Sequence, residues 1–121
     1  MDVPDRRSGV RVYDNLKSEI AAAALIRRAQ TLGAYATCVH KGDGDAGAVY
    51  LVVRTLNGLA RLYSPIRNLV GERAYLRSAE LPERDVDAKV RTLRDRDPDL
   101  WVIEVEDRRG RHFLVEPVEE V

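Results

Sequence analysis

Residues 41–63 read KGDGDAGAVYLVVRTLNGLARLY, and the fold turns on how this stretch is understood. It opens on a Gly/Asp loop, continues almost without polar interruption from Ala48 to Val53, turns at Asn57-Gly58 and returns. An apolar run of this length bounded by turn residues predicts a strand covered on both faces. Asn-Gly between two such runs is the strongest short-range hairpin signal. The hairpin is therefore expected at the centre of a sheet.

Upstream, Tyr35, Thr37 and Val39 alternate with Ala36, Cys38 and His40, the period-two pattern of a first strand, with Cys38 as a small core residue. Before that, a helix is expected from Asp14 or Asn15, either of which can cap it, to Gly33, the kind of residue that commonly follows a helix end. Its apolar side is read as Leu16, Ile20, Ala23, Ala24 and the Leu25-Ile26 pair. Residues 1–12 are polar, with Pro4 and Gly9, and read as a loosely held tail.

Downstream of Ser64-Pro65, a poorly patterned stretch with Ile66, Leu69 and Val70 runs to Arg73, and Ala74 to Ala79 is the candidate for an additional edge strand. Pro82 suits a first helical position, and Val86, Val90 and Leu93 form the narrow stripe of a surface helix that ends before Pro98. Leu100 to Pro117 reads as a second hairpin. With Arg108-Arg109-Gly110 as its loop, Glu106 faces His112, Val105 faces Phe113 and Ile103 faces Val115, which puts the apolar residues on one side. Residues 118–121 are expected to fray.

These elements run α-β-β-β-(β)-α-β-β. The order predicts one α+β domain over 13–117, with a mainly antiparallel sheet of five to six strands and two helices packed on one face. At 121 residues a single core is the natural outcome. Twenty basic and 20 acidic residues cancel, so no overall field steers the chain to nucleic acid or an anionic membrane. The single cysteine forms no intramolecular disulfide, and the N-terminus has no apolar leader. Both point to a cytoplasmic location and no membrane association.

The blocks LKSEIAAAALIRRAQTLGAYA, KGDGDAGAVYLVV, LNGLARLYSP and DPDLWVIEVEDRRGRHFLV together resemble the small bacterial family catalogued as domain of unknown function 1491, from Leu16 to Val115. The resemblance implies no activity, cofactor or catalytic residue.

Four sets of residues are candidates for chemistry. In the 41–47 loop, Asp43 and Asp45 form a D-x-D pair of the kind that begins a hard-cation site, but no further acids follow at calcium-loop spacing, and turn-making is the stronger reading. Glu106 and His112, cross-strand neighbours in the expected hairpin, are a candidate metal pair or acid-oriented base, with a plain surface ion pair as the stronger reading. The element order is also that of nucleases with a PD-(D/E)xK site, where Asp45 would stand for the first acid. The third strand, Leu59 to Tyr63, offers neither acid nor lysine, so an active enzyme of that type is not assembled. Finally, Arg54, Arg61, Arg73 and Arg77 interleave with aromatics, a candidate nucleic-acid or partner surface, although aromatics turned to the core are the stronger reading.

The reading that results is a non-enzymatic protein-interaction module without a cofactor, bound to a protein partner or to itself as a homodimer. A nucleic-acid-binding or catalytically silent nuclease-like scaffold is the alternative, and a metal-dependent hydrolase the second.

Overall fold

The computed structural model describes residues 16–121. The tail at 1–12 and the helix caps expected at Asp14 and Asn15 lie outside the described residues. The chain forms α1 (Ser18–Thr31), β1 (Tyr35–His40), β2 (Val49–Arg54), β3 (Leu59–Arg67), β4 (Arg73–Arg77), β5 (Leu81–Pro82), α2 (Glu83–Arg96), β6 (Trp101–Glu106) and β7 (Val118–Glu120). The class is α+β, but the sheet is mixed and has seven strands.

The order across the sheet is β1-β6-β2-β3-β4-β7, with β5 added to β3. The hairpin expected from residues 41–63 forms, with Leu51 opposite Tyr63 and Arg54 opposite Ala60. Its loop is wider than the two residues expected, because Leu56 as well as Gly58 adopts positive φ, at 63° and 88°. The Asn57 side chain supports it by accepting from the Leu59 N–H and the Thr55 hydroxyl. As expected of a central strand, β2 is inaccessible on both sides: Leu51, Val52 and Val53 are at most 2% exposed.

That alternation distributes the helices. Val49, Leu51 and Val53 face a core with Trp101, Ile103, Val105 and the Ala22, Leu25 and Ala29 side of α1. Val52, Ala60, Leu62 and Val102 face a second core with Val86, Val90 and Leu93 of α2. The two helices thus cover opposite faces, not one face as expected, because neighbouring residues of a strand point in opposite directions. The buried stripe of α1 is Ser18, Ala22, Leu25 and Ala29, and Ile20 remains 50% exposed.

The second expected hairpin does not form. β6 inserts between β1, to which it is antiparallel, and β2, to which it is parallel. With both of its edges occupied, β6 has no place for a returning strand. Residues 107–117 instead cross the α1 face, packing Phe113 and Leu114 on that core, and β7 joins β4 in parallel at the far edge. Residues 118–120 are therefore a strand, not frayed, and β4 is not an edge. The poorly patterned stretch after Tyr63 continues β3 to Arg67, and a turn closed by the Gly71 N–H and Asn68 carbonyl leads into β4.

Among the described residues no helix is long and apolar enough to cross a membrane.

Candidate anion-binding cleft

The 41–47 loop seals the start of α1. No side chain caps this helix; the Ser18 and Glu19 N–H groups donate instead to the Asp45 and Gly44 carbonyls, at 3.3 and 3.0 Å. These bonds satisfy two of the four orphan donors of a helix N-terminus. The buried Ser18 hydroxyl donates to the Gly47 carbonyl at 2.6 Å, and Trp101 Nε1 donates to the Asp43 carbonyl at 2.8 Å. The Asp43 carboxylate accepts from the Asp45 and Ala46 N–H groups of its own turn. Asp45 lies 3.5 Å from Lys17, with both side chains largely in solvent.

Glu106 and His112 are apart. Glu106 ends β6, with Tyr35 and Arg54 as its strand partners. It stands at the opposite end of the sheet from the Asp43 loop, roughly 17 Å along the strand at about 3.3 Å per residue. The His112 ring packs on Tyr63 with centroids 5.4 Å apart, and its Nδ1 accepts from the Leu114 N–H at 2.9 Å. Burial, helped by the positive charge of Arg77, holds its pKa below the ordinary histidine value. Glu106 is no cross-strand neighbour of His112, because the hairpin that would align them is absent. Among the described residues no group of three or more histidine, cysteine or acidic side chains could hold a metal ion.

Two other residues differ from expectation. Cys38 is exposed on the edge strand β1 rather than in the core. His40, for which no partner is evident in the sequence, donates from Nδ1 to the Leu100 carbonyl at 2.9 Å.

The four candidate arginines separate into different roles. Arg54 is turned inward: its side chain is 13% exposed and reaches Glu83 and Asp87 at 2.8 Å and Glu104 at 2.7 Å. The hydrogen bond to Glu104, followed by that to Asp87, outweighs desolvation and raises the guanidinium pKa. Arg54 ties the end of β2 to the first turns of α2. Arg73 lies on β4 beside a different hollow, with Arg67, Tyr75 and Glu116.

Arg61 and Arg77 do converge. They sit on the same face of β3 and β4 and line a cleft of roughly 290 Å³ whose wall is completed by Val53, Thr55, Asn57 and the turn of Arg108, Arg109 and Gly110. Glu80 is the one acid in this lining. The turn is fixed from behind. The Asp107 carboxylate, 7% exposed, accepts from the Arg111 backbone N–H and from both sides of its guanidinium, while the Asp107 N–H donates to the Arg54 carbonyl. The Arg111 hydrogen bond is the chief reason the Asp107 pKa lies below the usual carboxylate value. Arg77 is tethered by Glu120 of β7, and Arg61 makes a 3.5 Å contact with the Ser78 carbonyl. Arg108 and Arg109 are exposed and make no hydrogen bond or ion pair with a described residue.

Arg108 and Arg109 are the lining residues that sequence reasoning missed: in the expected hairpin they are only a turn. Their one signal is adjacency, two arginines beside a glycine with positive φ. The aromatics do not accompany these arginines as a stacking platform, for Tyr63, Tyr75 and Trp101 are at most 7% exposed and Tyr35, though exposed, lies on β1.

Comparison with known proteins gives a family and its structures. Residues 16–115 match a family described as "Protein of unknown function (DUF1491)". A crystal structure of a DUF1491 family protein from Caulobacter crescentus CB15 is similar with a TM-score of 0.81 at 48% identity, over 86% of this chain and 99% of the other. An NMR structure of a DUF1491 family protein from the same organism gives 0.77 at 48% identity, over 87% and 97%. The solution structure of protein Atu0922 from A. tumefaciens gives 0.69 at 31% identity, over 84% and 96%. No curated protein matches the chain.

Proposed function

Because the chain belongs to the DUF1491 family, whose description assigns no activity, we propose from the geometry of its surface that it is a non-enzymatic interaction module that recognises an acidic segment of a protein partner through the arginine cleft. The observation that carries this reading is the convergence of Arg61, Arg77, Arg108 and Arg109, from β3, β4 and the turn after β6, on one hollow with Glu80 as its single acid. Guanidinium groups present fixed forks of donors that match carboxylates and phosphates. Three of the four have most of that capacity unspent. A rigid sheet and the Asp107–Arg111 clamp hold the hollow in place, and such pre-organisation lowers the cost of binding.

The nucleic-acid reading draws on the same arginines. It is the weaker of the two because single-strand binding relies on accessible aromatic faces, and Tyr63, Tyr75 and Trp101 are buried.

The test is titration of the full chain with a short Glu-rich peptide at low salt, followed by amide chemical shifts. Shifts at Arg61 and at 108–110 that weaken with added salt, and that vanish in the double variant Arg108→Glu and Arg109→Glu, are the expected result. No binding, or binding indifferent to the double variant, overturns the reading. A sedimentation mass taken alongside identifies self-association, the other form of partnership the sequence suggests.

A further inference from the structure

We propose that the cleft seats a single phosphoryl dianion, a phosphate monoester carried by the partner segment, an inference that rests on the interaction reading above. Charge balance is the first argument. Arg61 and Arg108 have no counter-ion among the described residues, Arg109 shares the Asp107 carboxylate that Arg111 already engages, Arg77 is matched by Glu120, and Glu80 is the one acid in the lining. A phosphate monoester brings a charge of about −1.5 to −2 and three acceptor oxygens, whereas a carboxylate brings one charge and two oxygens. Guanidiniums converging from separate segments are therefore better matched by the monoester, with an oxygen for each of three forks.

The fold also leaves a donor without a partner. Arg77 Nε, shielded from solvent, has no hydrogen-bond partner, although the same guanidinium is anchored through Nη2 to Glu120. Buried donors are rarely left unmatched, so Arg77, whose side chain lines the cleft, keeps hydrogen-bonding capacity that the fold itself does not use. An uncharged donor, the Asn57 amide, belongs to the same lining.

Extent points the same way. Arg61, Arg77, Arg108 and Arg109 share one hollow, Arg67 and Arg73 line a separate one on the same face, and the chain as a whole is neutral. A polymer of phosphates needs a track of positive charge along its backbone, whereas one terminal phosphoryl group needs a point.

The experiment compares the Glu-rich peptide, the same peptide with phosphoserine in place of one central Glu, and inorganic phosphate, each titrated into the full chain by calorimetry and by amide chemical shifts. The phosphoserine peptide is expected to bind at least about tenfold more tightly than its Glu counterpart, a difference of about 1.4 kcal/mol. It should be displaced by inorganic phosphate, and it should lose that advantage in Arg61→Gln and in Arg109→Gln. Because Arg108 and Arg109 are exposed, a denaturation midpoint like that of the parent is expected for Arg109→Gln and separates lost binding from lost folding.

Equal affinity for the two peptides overturns the phosphoryl inference and leaves the acidic-partner reading standing. Binding of neither peptide nor phosphate overturns both. Binding of inorganic phosphate without either peptide keeps the phosphoryl site and overturns the protein partner, assigning the site to a small phosphorylated molecule.

Discussion

Single residues in the 41–47 loop act through backbone, and glycine is the means. A Cβ on Gly47 would stand 2.1 Å from the Asp99 carbonyl oxygen and 3.0 Å from two atoms of the Asp43 backbone, none of which is the end of a flexible side chain. Gly47→Ala must therefore displace the loop that caps α1. It is expected to cost about 3 kcal/mol, the upper part of the usual range for overpacking, as a fall in the urea midpoint at unchanged slope. Gly44→Ala, whose Cβ would meet only the Glu19 side chain at 3.4 Å, is the control and should be nearly neutral. His112, half-buried beside Tyr63, has a folded pKa below the ordinary value chiefly through burial. As pH falls below about 6.5, the unfolded chain binds a proton that the native state resists. Stability present above that pH is then lost progressively until the folded pKa is reached. In His112→Asn, whose side-chain oxygen can still accept from Leu114, this loss below about pH 6.5 should disappear; parallel pH profiles for parent and variant would refute it. Neither role is visible in the sequence. Asp43 and Gly47 read correctly as turn residues, but what the turn serves depends on Asp99 and Ser18, far away along the chain.

Among elements, α2 is attached to the sheet by an apolar stripe and by one arginine. Val86, Val90 and Leu93 were legible at their helical spacing, and they pack as that spacing predicts. Arg54 was not legible as a clamp, since its three acids come from both helix and strand and meet it only once β6 lies beside β2. Arg54→Leu leaves Glu104, 22% exposed, facing Glu83 and Asp87 without a cation. Removing one partner of a buried charge cluster costs about 3–5 kcal/mol; because Glu83 and Asp87 remain partly in water, about 2–3 kcal/mol is expected. Amide hydrogen exchange should rise first in the N-terminal turns of α2, ahead of β2 itself. Exchange that accelerates equally in every element would mean that the clamp serves the whole core and not this joint. The same dependence on distant strands explains the misread C-terminal hairpin. The apolar alternation of Trp101, Ile103 and Val105 identifies a strand and its inward side, yet says nothing about whether its neighbour is Phe113 or Leu51.

For the whole molecule, the consequence is that the sheet is closed by its latest long strand. β1 and β2 follow each other in the chain but are not bonded to each other; β6 stands between them and hydrogen-bonds both. Trp101, Ile103 and Val105 also supply much of the surface on which α1 rests, and Val102 does the same below α2. A chain ending at Arg96 contains both helices and five strands, enough by count for a small α+β domain, yet it has no continuous sheet. β1 would be left with α1 alone, and the β2 edge, a row of unpaired backbone groups beside Leu51, Val52 and Val53, would be open to association. Such a fragment is expected to give a poorly dispersed amide spectrum and to aggregate. A chain ending at Pro117 lacks only β7 and the Arg77–Glu120 pair, keeps the strand in the middle, and should fold cooperatively with a lower urea midpoint. The two truncations distinguish sources of stability that strand counting treats alike. If the shorter fragment gave a native-like spectrum, the hairpin of β2 and β3 would be a self-sufficient nucleus and the inserted strand an addition to it. If both failed, the parallel strand at the far edge would be as necessary as the central one, and the anchorage of Arg77 in the cleft would be a condition of folding as well as of binding.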